Sequence, residues 1–285
     1  MTIANAIEAC RLRLRSVSDV PWLEARMLAS YVTGLDASAI VAYGDNAISR
    51  DRREQLFALV ERRAAGEPVA YLTGAKQFCG LTIAVDRRAL VPRPETEGLV
   101  AAVRDDWRGR RAQILELGTG SGAIACALAV SMPDARILAT EISAEAFELA
   151  QANVERLQLG ERVTLSLGDL FAAVVPLREF DVIVANLPYV GDDHADALEE
   201  PVRRNEPRIA LWAGADGLAV YRRMLPATAR YLRAGGSIYL ECAPFNAIAL
   251  AAIAEEAFPD TAPSIDCDAA GRQRIVVIRT AKTNP

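Results

Sequence analysis

Residues 114 to 123 read Ile-Leu-Glu-Leu-Gly-Thr-Gly-Ser-Gly-Ala, an apolar strand followed at once by a glycine-rich loop. The next residues are typical of a helix, so the loop lies at a strand-to-helix turn, where glycines let a ligand contact the backbone. From Ala112 onward, short apolar strands alternate with helices, which is the pattern of a parallel α/β sheet. Such sheets bind ligands in the crevice beyond the carboxyl ends of their strands. The stretch therefore predicts both the fold class and the place of the site.

The remaining elements of this region are predicted from the same alternation of apolar runs and amphipathic stretches. Helices are expected at residues 122–131, 144–157, 217–232 and 246–257. Strands are expected at residues 112–117, 135–140, 162–167, 180–185, 236–241 and 274–279, and another near 264. The strand that ends at Ala185 is apolar enough to be buried on both faces, as in the middle of a parallel sheet.

The N-terminal segment, residues 1 to about 68, shows helical periodicity and is expected to form a small helical bundle. Its second helix should begin after Asp19, with Pro21 in the first turn, and end at Gly34. The acids and bases of the bundle are spread over solvent-facing positions, which favours a role in binding or stability over catalysis. The side chains expected to face the core from the second helix are Leu23, Met27, Leu28, Tyr31 and Val32.

A short hairpin is predicted between the bundle and the α/β region. Two short apolar runs flank Cys79-Gly80, a spacing that is typical of two antiparallel strands joined by a tight turn. We therefore divide the chain into a helical domain at 1–74, a hairpin linker at 75–92 and a larger α/β domain at 93–285.

The composition limits the kinds of function that the chain can have. Its 285 residues are 52% hydrophobic, and the net charge of −5 comes from interspersed acids and bases, which argues against direct nucleic-acid binding. The five cysteines are scattered without a C-x-x-C pair, so neither a metal site nor a disulfide framework is expected. No apolar stretch approaches the roughly 18 residues of a membrane span, and no signal peptide is visible. We therefore expect a cytoplasmic protein without a membrane partner.

Acidic side chains follow the second and third strands of the predicted sheet. Glu141 comes about twenty residues after the glycine loop, where a carboxylate can accept both hydroxyls of a ribose. Asp169 can accept a hydrogen bond from an adenine amino group, with Leu170 against the ring. Together with the glycine loop, these positions predict a site for an adenosine-containing cofactor. The loop residues assigned to this site are Gly118, Thr119, Gly120, Ser121 and Gly122, and Asn186 after the fourth strand is assigned to it as well.

Two classes of adenosine cofactor fit the loop. Gly118, Gly120 and Ala123 match the dinucleotide pattern G-x-G-x-x-G/A. Glu116, however, lies two residues before the first glycine, where a carboxylate can hold an ammonium group but would repel a pyrophosphate. S-adenosyl-L-methionine therefore fits better than NAD, although Glu116 could also serve only as a structural acceptor at the strand end.

Residues 186 to 189 read Asn-Leu-Pro-Tyr and directly follow the fourth strand. A nitrogen that attacks a methyl sulfonium needs its two hydrogens held so that its lone pair points at the methyl carbon. The side-chain oxygen of Asn186 and the backbone carbonyl of Leu187 can accept those hydrogens, and Pro188 restricts Leu187 to extended geometry. Tyr189 can cover a planar acceptor group. The motif is an ordinary turn out of context, but at this place it predicts methyl transfer to an amide or amino nitrogen.

Four stretches together resemble the bacterial release-factor glutamine methyltransferase family, and the resemblance covers nearly the whole chain. They are Pro-Val-Ala-Tyr-Leu-Thr-Gly at 68–74, Val-Pro-Arg-Pro-Glu-Thr-Glu at 91–97, Glu-Leu-Gly-Thr-Gly-Ser-Gly at 116–122 and Asn-Leu-Pro-Tyr at 186–189. The resemblance implies a Rossmann-like class I methyltransferase domain, with S-adenosyl-L-methionine as cofactor and S-adenosyl-L-homocysteine as product. It implies that the acceptor is the glutamine of the Gly-Gly-Gln motif in class 1 peptide chain release factors, which the helical domain helps to bind. It further implies that Arg93 and Glu97 belong to the substrate site and that the protein is a monomer.

Three residues depart from the family pattern. Leu187 replaces the first proline of the usual Asn-Pro-Pro-Tyr, and because a backbone carbonyl carries the chemistry, the function should survive with less rigidity. Asn205 stands where an aromatic residue usually precedes Glu-Pro, and Ala243 replaces the glycine of a Glu-x-Gly pattern that begins at Glu241. Neither of the last two departures is expected to affect the core of the mechanism.

Other functions share part of this pattern. A ribosomal-protein glutamine methyltransferase has a hairpin similar to Phe78-Cys79-Gly80, and adenine-N6 methyltransferases of nucleic acids share the Asn-x-Pro-Tyr chemistry. The acidic chain, without a visible basic patch, argues against the latter. A dehydrogenase would need a proton-transfer residue beside a nicotinamide, and no constellation of His, Lys or Tyr suggests one. A catalytically silent adenosine-binding module is the last alternative.

Overall fold

The computed structural model describes residues 1–175, 180–268 and 270–281 of the chain. The chain forms two compact units, which are Met1–Ala75 with Glu199–Asn205, and Lys76–Leu198 with Glu206–Pro285. The smaller unit therefore includes a short segment from the second half of the chain, which sequence periodicity does not reveal. The stretch that we expected to be a linker belongs, from Lys76 onward, to the larger unit.

The N-terminal part of the smaller unit is helical, as the periodicity predicted. The helices in its described residues are α1 (Ile3–Leu14), α2 (Pro21–Thr33), α3 (Ala37–Ala42), α4 (Arg50–Ala64) and α5 (Val69–Thr73). The Thr2 hydroxyl accepts a hydrogen bond from the Asn5 N–H at 3.2 Å and so caps α1, and Ser49 caps α4 in the same way. Gly34 ends α2 with a φ of 72°, a left-handed conformation that glycine adopts without strain.

The face of α2 that points into the core differs from the predicted one. Leu28 and Val32 are buried as expected, but Ala25 and Ala29 fill the other core positions and are fully buried. Small side chains let the α2 backbone pack closely against α1. The prediction, which relied on large apolar residues, therefore placed the wrong face of α2 in the core. The remaining predicted residues are exposed, with exposed fractions of 54% for Leu23, 42% for Met27 and 50% for Tyr31.

The larger unit starts within the predicted hairpin and continues as alternating strands and helices. The hairpin strands β1 (Ala75–Phe78) and β2 (Leu81–Ala84) are joined by Cys79 and Gly80, whose φ angles of 47° and 76° suit a tight hairpin turn. The regular elements that follow are α6 (Thr96–Asp106), β3 (Gln113–Leu117), α7 (Ala123–Ser131), β4 (Arg136–Glu141), α8 (Ala144–Arg156), β5 (Val163–Leu167), β6 (Phe180–Ala185), α9 (Glu200–Asn205, in the smaller unit), α10 (Ala219–Thr228), β7 (Leu232–Glu241), α11 (Ala247–Ala257), β8 (Ser264–Cys267) and β9 (Gln273–Arg279). Short 3₁₀ segments lie at Leu170–Ala173, Asp192–Ala197 and Arg208–Ala210.

Seven of the described strands form one sheet in the order β5-β4-β3-β6-β7-β9-β8. The first five in this order are parallel, and β9 pairs antiparallel with both β7 and β8. From β3 the chain adds β4 and β5 on one side, and it then crosses back to place β6 on the other side of β3. The direction of winding therefore reverses between β3 and β6. Such a switch point opens a crevice at the carboxyl ends of the strands. The predicted α/β fold class is confirmed.

The predicted strands agree with the structure to within one residue, with one exception. Strand β7 begins at Leu232 instead of residue 236, and α10 ends at Thr228 instead of residue 232. The Phe180 N–H donates to the Tyr231 carbonyl at 2.7 Å, which extends the pairing of β6 and β7 beyond the irregularity after Phe180. The helix is shorter than predicted because its last residues find backbone partners in the sheet.

The centre of the larger unit is apolar on both faces of the sheet. Every residue of β6 is buried, and α7 is buried from Ala123 to Ala129. The sequence of α7 is apolar on every side, as is typical of a helix that other elements enclose, here α6, α8, β4 and β5. Across the described ranges, no helix combines the length and the apolar character that crossing a membrane requires.

Leu28→Ala in α2 is expected to lower the free energy of unfolding by about 3 kcal/mol, because Leu28 is fully buried and its truncation leaves a cavity. Leu23→Ala on the same helix is the matched control. It should change the free energy by less than about 0.5 kcal/mol, since the Leu23 side chain is exposed. Urea denaturation of the variants and the parent protein measures both values, and an equal loss in the two variants would contradict the observed orientation of α2.

Candidate active site

A cavity of about 240 Å³ lies in the larger unit at the carboxyl ends of the central strands. The register of the sheet explains its position, because Leu117 at the end of β3 is opposite Thr140 on β4 and Ala185 on β6. The residues that follow on these three strands therefore meet at the cavity. The wall contains most of the residues that the sequence assigned to the site, namely Arg93, Gly118, Thr119, Gly120, Ser121, Glu141, Asp169, Leu170, Asn186, Leu187 and Pro188.

Glu141 is oriented by two backbone N–H groups. Its Oε2 accepts a hydrogen bond from Gly120 at 2.8 Å, and its Oε1 accepts one from Ser143 at 2.9 Å. Gly120 has a φ of 58°, a conformation that favours glycine. A carboxylate has about four lone-pair sites, so each oxygen keeps one for a ligand. This arrangement fits the two neighbouring hydroxyls of a ribose.

Glu116 is fully buried and is not part of the cavity wall. Its Oε2 accepts a hydrogen bond from the Thr119 hydroxyl at 2.8 Å, whereas its Oε1 has no hydrogen-bond partner among the described residues. Burial raises the pKa of this carboxyl to about 8. A buried acid with an unpaired oxygen gains from a nearby cation. In the ligand-free protein this carboxyl therefore keeps its proton at neutral pH, and its unpaired oxygen just before the glycine loop fits an ammonium group that would favour the charged form.

Asp169 and Leu170 form the part of the wall that follows β5. The Asp169 carboxylate is paired through Oδ2 with Arg223 of α10, a wall residue that the sequence did not single out. Leu170 has a φ of 49°, which is uncommon for leucine, and begins the 3₁₀ segment. The pairing leaves Oδ1 of Asp169 as the acceptor available to an adenine amino group.

Asn186 follows β6 with its amide nitrogen bound to α6. Its Nδ2 donates to the Thr96 hydroxyl at 3.2 Å. The carboxyl of Glu241, which is 1% exposed and ends the neighbouring strand β7, is electrostatically coupled to both side chains. Burial raises the pKa of Glu241 to about 7, while hydrogen bonding from Thr96 and Asn186 acts in the opposite direction on this pKa. Because the nitrogen is occupied, the Asn186 side-chain oxygen is the atom left to accept hydrogen bonds at the cavity.

Leu187 is held by both its backbone and its side chain. Its N–H donates to the Tyr221 hydroxyl at 3.2 Å, and that hydroxyl donates to the Glu241 carbonyl at 2.5 Å. Its side chain packs on Gly118, where an added Cβ would lie 2.8 Å from the leucine Cδ2. The glycine loop and the Asn-Leu-Pro-Tyr motif are therefore in direct contact.

Three further residues assigned to the site also lie off the cavity wall. Gly122 packs against α8, where an added Cβ would be 3.3 Å from Ala150, so this glycine serves helix packing. The Glu97 carboxylate accepts a hydrogen bond from the Cys79 N–H at 3.0 Å and ties the hairpin turn to α6. Tyr189 is half-buried and packs against the apolar core of the sheet. These contacts hold the framework around the site, and the parts that the three residues take in binding stay predictions.

Arg93 lines the cavity and is paired with Glu206. Its Nη2 lies 2.6 Å from one carboxylate oxygen of Glu206, and the other oxygen accepts a hydrogen bond from the Val91 N–H at 3.0 Å. The pair fixes the Val-Pro-Arg-Pro stretch at the cavity. Glu206 was missed as a site residue, although the Glu-Pro of the family pattern was the available signal.

Comparison with known families and structures agrees with this geometry. Residues 5–74 match a family described as the PrmC N-terminal domain, and residues 114–207 match a methyltransferase domain. A 16S rRNA methyltransferase of T. thermophilus, solved with AdoMet and guanosine, has a TM-score of 0.53 and 20% identity, covering 72% of this chain and 49% of that one. The catalytic domain of hMettl16, solved with an RNA hairpin, has a TM-score of 0.56 and 15% identity, and 89% of each chain is covered. The fold is that of a class I methyltransferase.

Relatives found by sequence narrow the class to a family. A release factor glutamine methyltransferase of Rhodopirellula baltica is 38% identical over 269 residues, which cover 93% of this chain and 91% of the relative. A release factor glutamine methyltransferase of Moorella thermoacetica is 40% identical over 245 residues, which cover 85% of each chain. The chain belongs to the release factor glutamine methyltransferase family, as its motifs indicated.

The free energy of unfolding of the ligand-free protein should contain a contribution from Glu116 that decreases as the pH rises from 4.5 to about 8. Between these two pH values the folded state keeps a proton on this carboxyl that the unfolded state releases. The contribution is therefore fully present below the unfolded-state pKa of 4.5 and is lost as the pH rises through the folded-state pKa of about 8. Glu116→Gln has a similar shape and does not titrate. Across this range the difference in stability should therefore shift in favour of the variant by as much as about 4 kcal/mol. Urea titrations at several pH values measure this difference, and parallel curves would show that Glu116 does not titrate there.

Proposed function

We propose that the protein transfers a methyl group from S-adenosyl-L-methionine to the side-chain nitrogen of a glutamine. In this proposal the glutamine is that of the Gly-Gly-Gln motif in class 1 peptide chain release factors. Membership of the family supports the reaction, since its members are named for this activity. The observation that carries the proposal is the hydrogen bond from Asn186 Nδ2 to Thr96, which leaves an oxygen acceptor at a cavity beside the glycine loop.

The cofactor side of the site consists of the glycine loop and three acidic residues. When bound, S-adenosyl-L-methionine supplies a methyl group on a positively charged sulfur. Glu141 would accept the ribose hydroxyls with the lone pairs that its backbone partners leave free. Asp169 would accept a hydrogen bond from the adenine amino group, with Leu170 against the ring. The nearby ammonium group would lower the raised pKa of Glu116, so that its carboxyl loses its proton and supplies the opposite charge.

The residues that bind the glutamine have to direct its amide nitrogen, a weak nucleophile, at the methyl carbon of the cofactor. An amide nitrogen reacts poorly because resonance delocalises its lone pair. If Asn186 Oδ1 and the Leu187 carbonyl each accept one of its hydrogens, the nitrogen gains electron density and its lone pair is directed at the methyl carbon. Positioning of this kind lowers a barrier by several kcal/mol. Once the methyl group is attached, the substrate nitrogen releases one of its two hydrogens as a proton to water. In this proposal Asn186 acts as neither an acid nor a base, and Pro188 holds Leu187 in extended geometry.

We assign binding of the release factor to residues around the site and to the helical domain. Arg93 would contact the substrate from the cavity wall, and Glu97 would act through the hairpin turn that it holds. Tyr189 would support the planar amide from the side of the core. We assign release-factor binding to the helical domain at 1–74, and we propose that the protein is a cytoplasmic monomer that does not bind nucleic acid directly, in keeping with its net charge of −5.

Incubation of the purified protein with methyl-labelled S-adenosyl-L-methionine and a release factor should place one label on the glutamine of the Gly-Gly-Gln motif. A release factor with asparagine at that position is the matched substrate control and should stay unlabelled, since the shorter side chain does not bring its nitrogen to Asn186. Mass spectrometry identifies the labelled residue. Label on a ribosomal protein or on an adenine of RNA, with none on the release factor, would overturn the proposed substrate.

Asn186→Ala should lower kcat for methyl transfer by about 100-fold or more, because one acceptor of the amide hydrogens is lost. The cofactor affinity, measured by calorimetry with S-adenosyl-L-homocysteine, should change by less than about threefold, since Glu141 and the glycine loop remain. If the affinity instead falls as far as kcat, Asn186 holds the cofactor and its assigned role is wrong.

A further inference from the structure

Leu187 carries a backbone N–H, a donor that a proline in the same position would lack. Leu187 is 4% exposed, so this N–H is away from solvent and requires an acceptor within the protein. The acceptor in the structure is the hydroxyl of Tyr221, at 3.2 Å from the Leu187 nitrogen.

The Tyr221 hydroxyl is itself fixed by a second hydrogen bond. Tyr221 is fully buried, and its hydroxyl donates to the backbone carbonyl of Glu241 at 2.5 Å. The single hydrogen of the hydroxyl is thus committed to β7, and its lone pair is directed at Leu187. Burial also raises the pKa of Tyr221 well above its ordinary value, so the hydroxyl keeps its hydrogen. The peptide before Leu187 is therefore tied to a rigid strand.

Leu187 also places no restraint on the backbone of Asn186. A proline at position 187 would confine Asn186 to extended geometry, because the ring clashes with the residue before it. Leucine does not impose this restriction. Other restraints at this point include Pro188, which acts on Leu187 alone, and the contact of the Leu187 side chain with Gly118.

We infer that Tyr221 is a positioning residue for methyl transfer in this protein: its hydroxyl holds the peptide between Asn186 and Leu187 and replaces the restraint that a proline ring would supply. The inference rests on the proposed function, in which Asn186 Oδ1 and the Leu187 carbonyl orient the glutamine amide. Tyr221 does not touch the ligand, since it is not part of the cavity wall. It acts through the direction of these two acceptors.

Tyr221→Phe should lower kcat by about tenfold, the loss expected from one hydrogen bond that holds a reacting geometry. The affinity for S-adenosyl-L-homocysteine should change by less than about twofold, since the glycine loop and Glu141 are unaltered. Tyr239→Phe is the matched control, because Tyr239 is also fully buried and its hydroxyl donates to Asp106 at 2.8 Å, away from the motif. The control should lose stability but keep kcat. An equal change of kcat in the two variants would show a general structural effect and overturn the inference.

The hydrogen bond between Leu187 and Tyr221 can also be removed by deleting its donor, the Leu187 N–H. Replacing Leu187 by its α-hydroxy acid, through nonsense suppression, deletes the N–H and leaves the Leu187 carbonyl in place. This ester variant should lose about as much kcat as Tyr221→Phe, and adding Tyr221→Phe to it should cost less than about twofold more. A full additional tenfold loss would mean that Tyr221 acts independently of Leu187 and would refute the inference.

Amide hydrogen exchange at Leu187 separates this inference from the proposed function. Protection of the Leu187 N–H should fall by at least about tenfold in Tyr221→Phe and stay unchanged in Tyr239→Phe. Unchanged protection in Tyr221→Phe would overturn the inference, whatever the activity. Lost protection in a protein that methylates no release factor would support the hydrogen bond and remove the proposed substrate instead.

Discussion

The hydrogen bond from Asn186 Nδ2 to the Thr96 hydroxyl determines which end of the Asn186 amide is offered to a ligand. The donor and acceptor ends of an asparagine amide have nearly the same shape, so their order has to be fixed by neighbours. Thr96 occupies the donor end. Burial of Glu241 is unfavourable for its charged form, as its pKa of about 7 shows, and the hydrogen bonds from Thr96 and Asn186 offset part of that cost. The acceptor end is thereby left to the cavity.

Close packing prevents the backbone after Asn186 from shifting. An added Cβ on Gly217 would lie 2.2 Å from the Tyr189 carbonyl oxygen, and one on Gly191 would lie 2.3 Å from the Ala215 carbonyl oxygen. Only glycine permits such an approach. Asn246 adds a hydrogen bond to the Tyr189 carbonyl at 3.0 Å. The acceptor motif is therefore supported along its whole length, which is the condition for catalysis by positioning.

The parts of the site that the sequence could predict are those that follow strands. Glu141 and Asn186 each come directly after an apolar run, and parallel strands present their carboxyl ends at one edge, so their meeting needs no knowledge of distant contacts. Thr96 and Glu241 were missed as partners of Asn186 because their contact depends on which helix and which strand cover β6. The same limitation hid the return of 199–205 to the smaller unit. The orientation of α2 was mispredicted because alanines, rather than large apolar residues, form its buried face.

A crystal structure with S-adenosyl-L-homocysteine and a peptide that contains Gly-Gly-Gln would show how the Asn-Leu-Pro-Tyr motif holds the glutamine amide. The glutamine amide nitrogen should lie within about 3 Å of both Asn186 Oδ1 and the Leu187 carbonyl oxygen, and it should face the sulfur atom. Nδ2 of Asn186 should remain bound to Thr96. A glutamine amide held by other groups, with Asn186 Oδ1 beyond hydrogen-bond distance, would contradict the account.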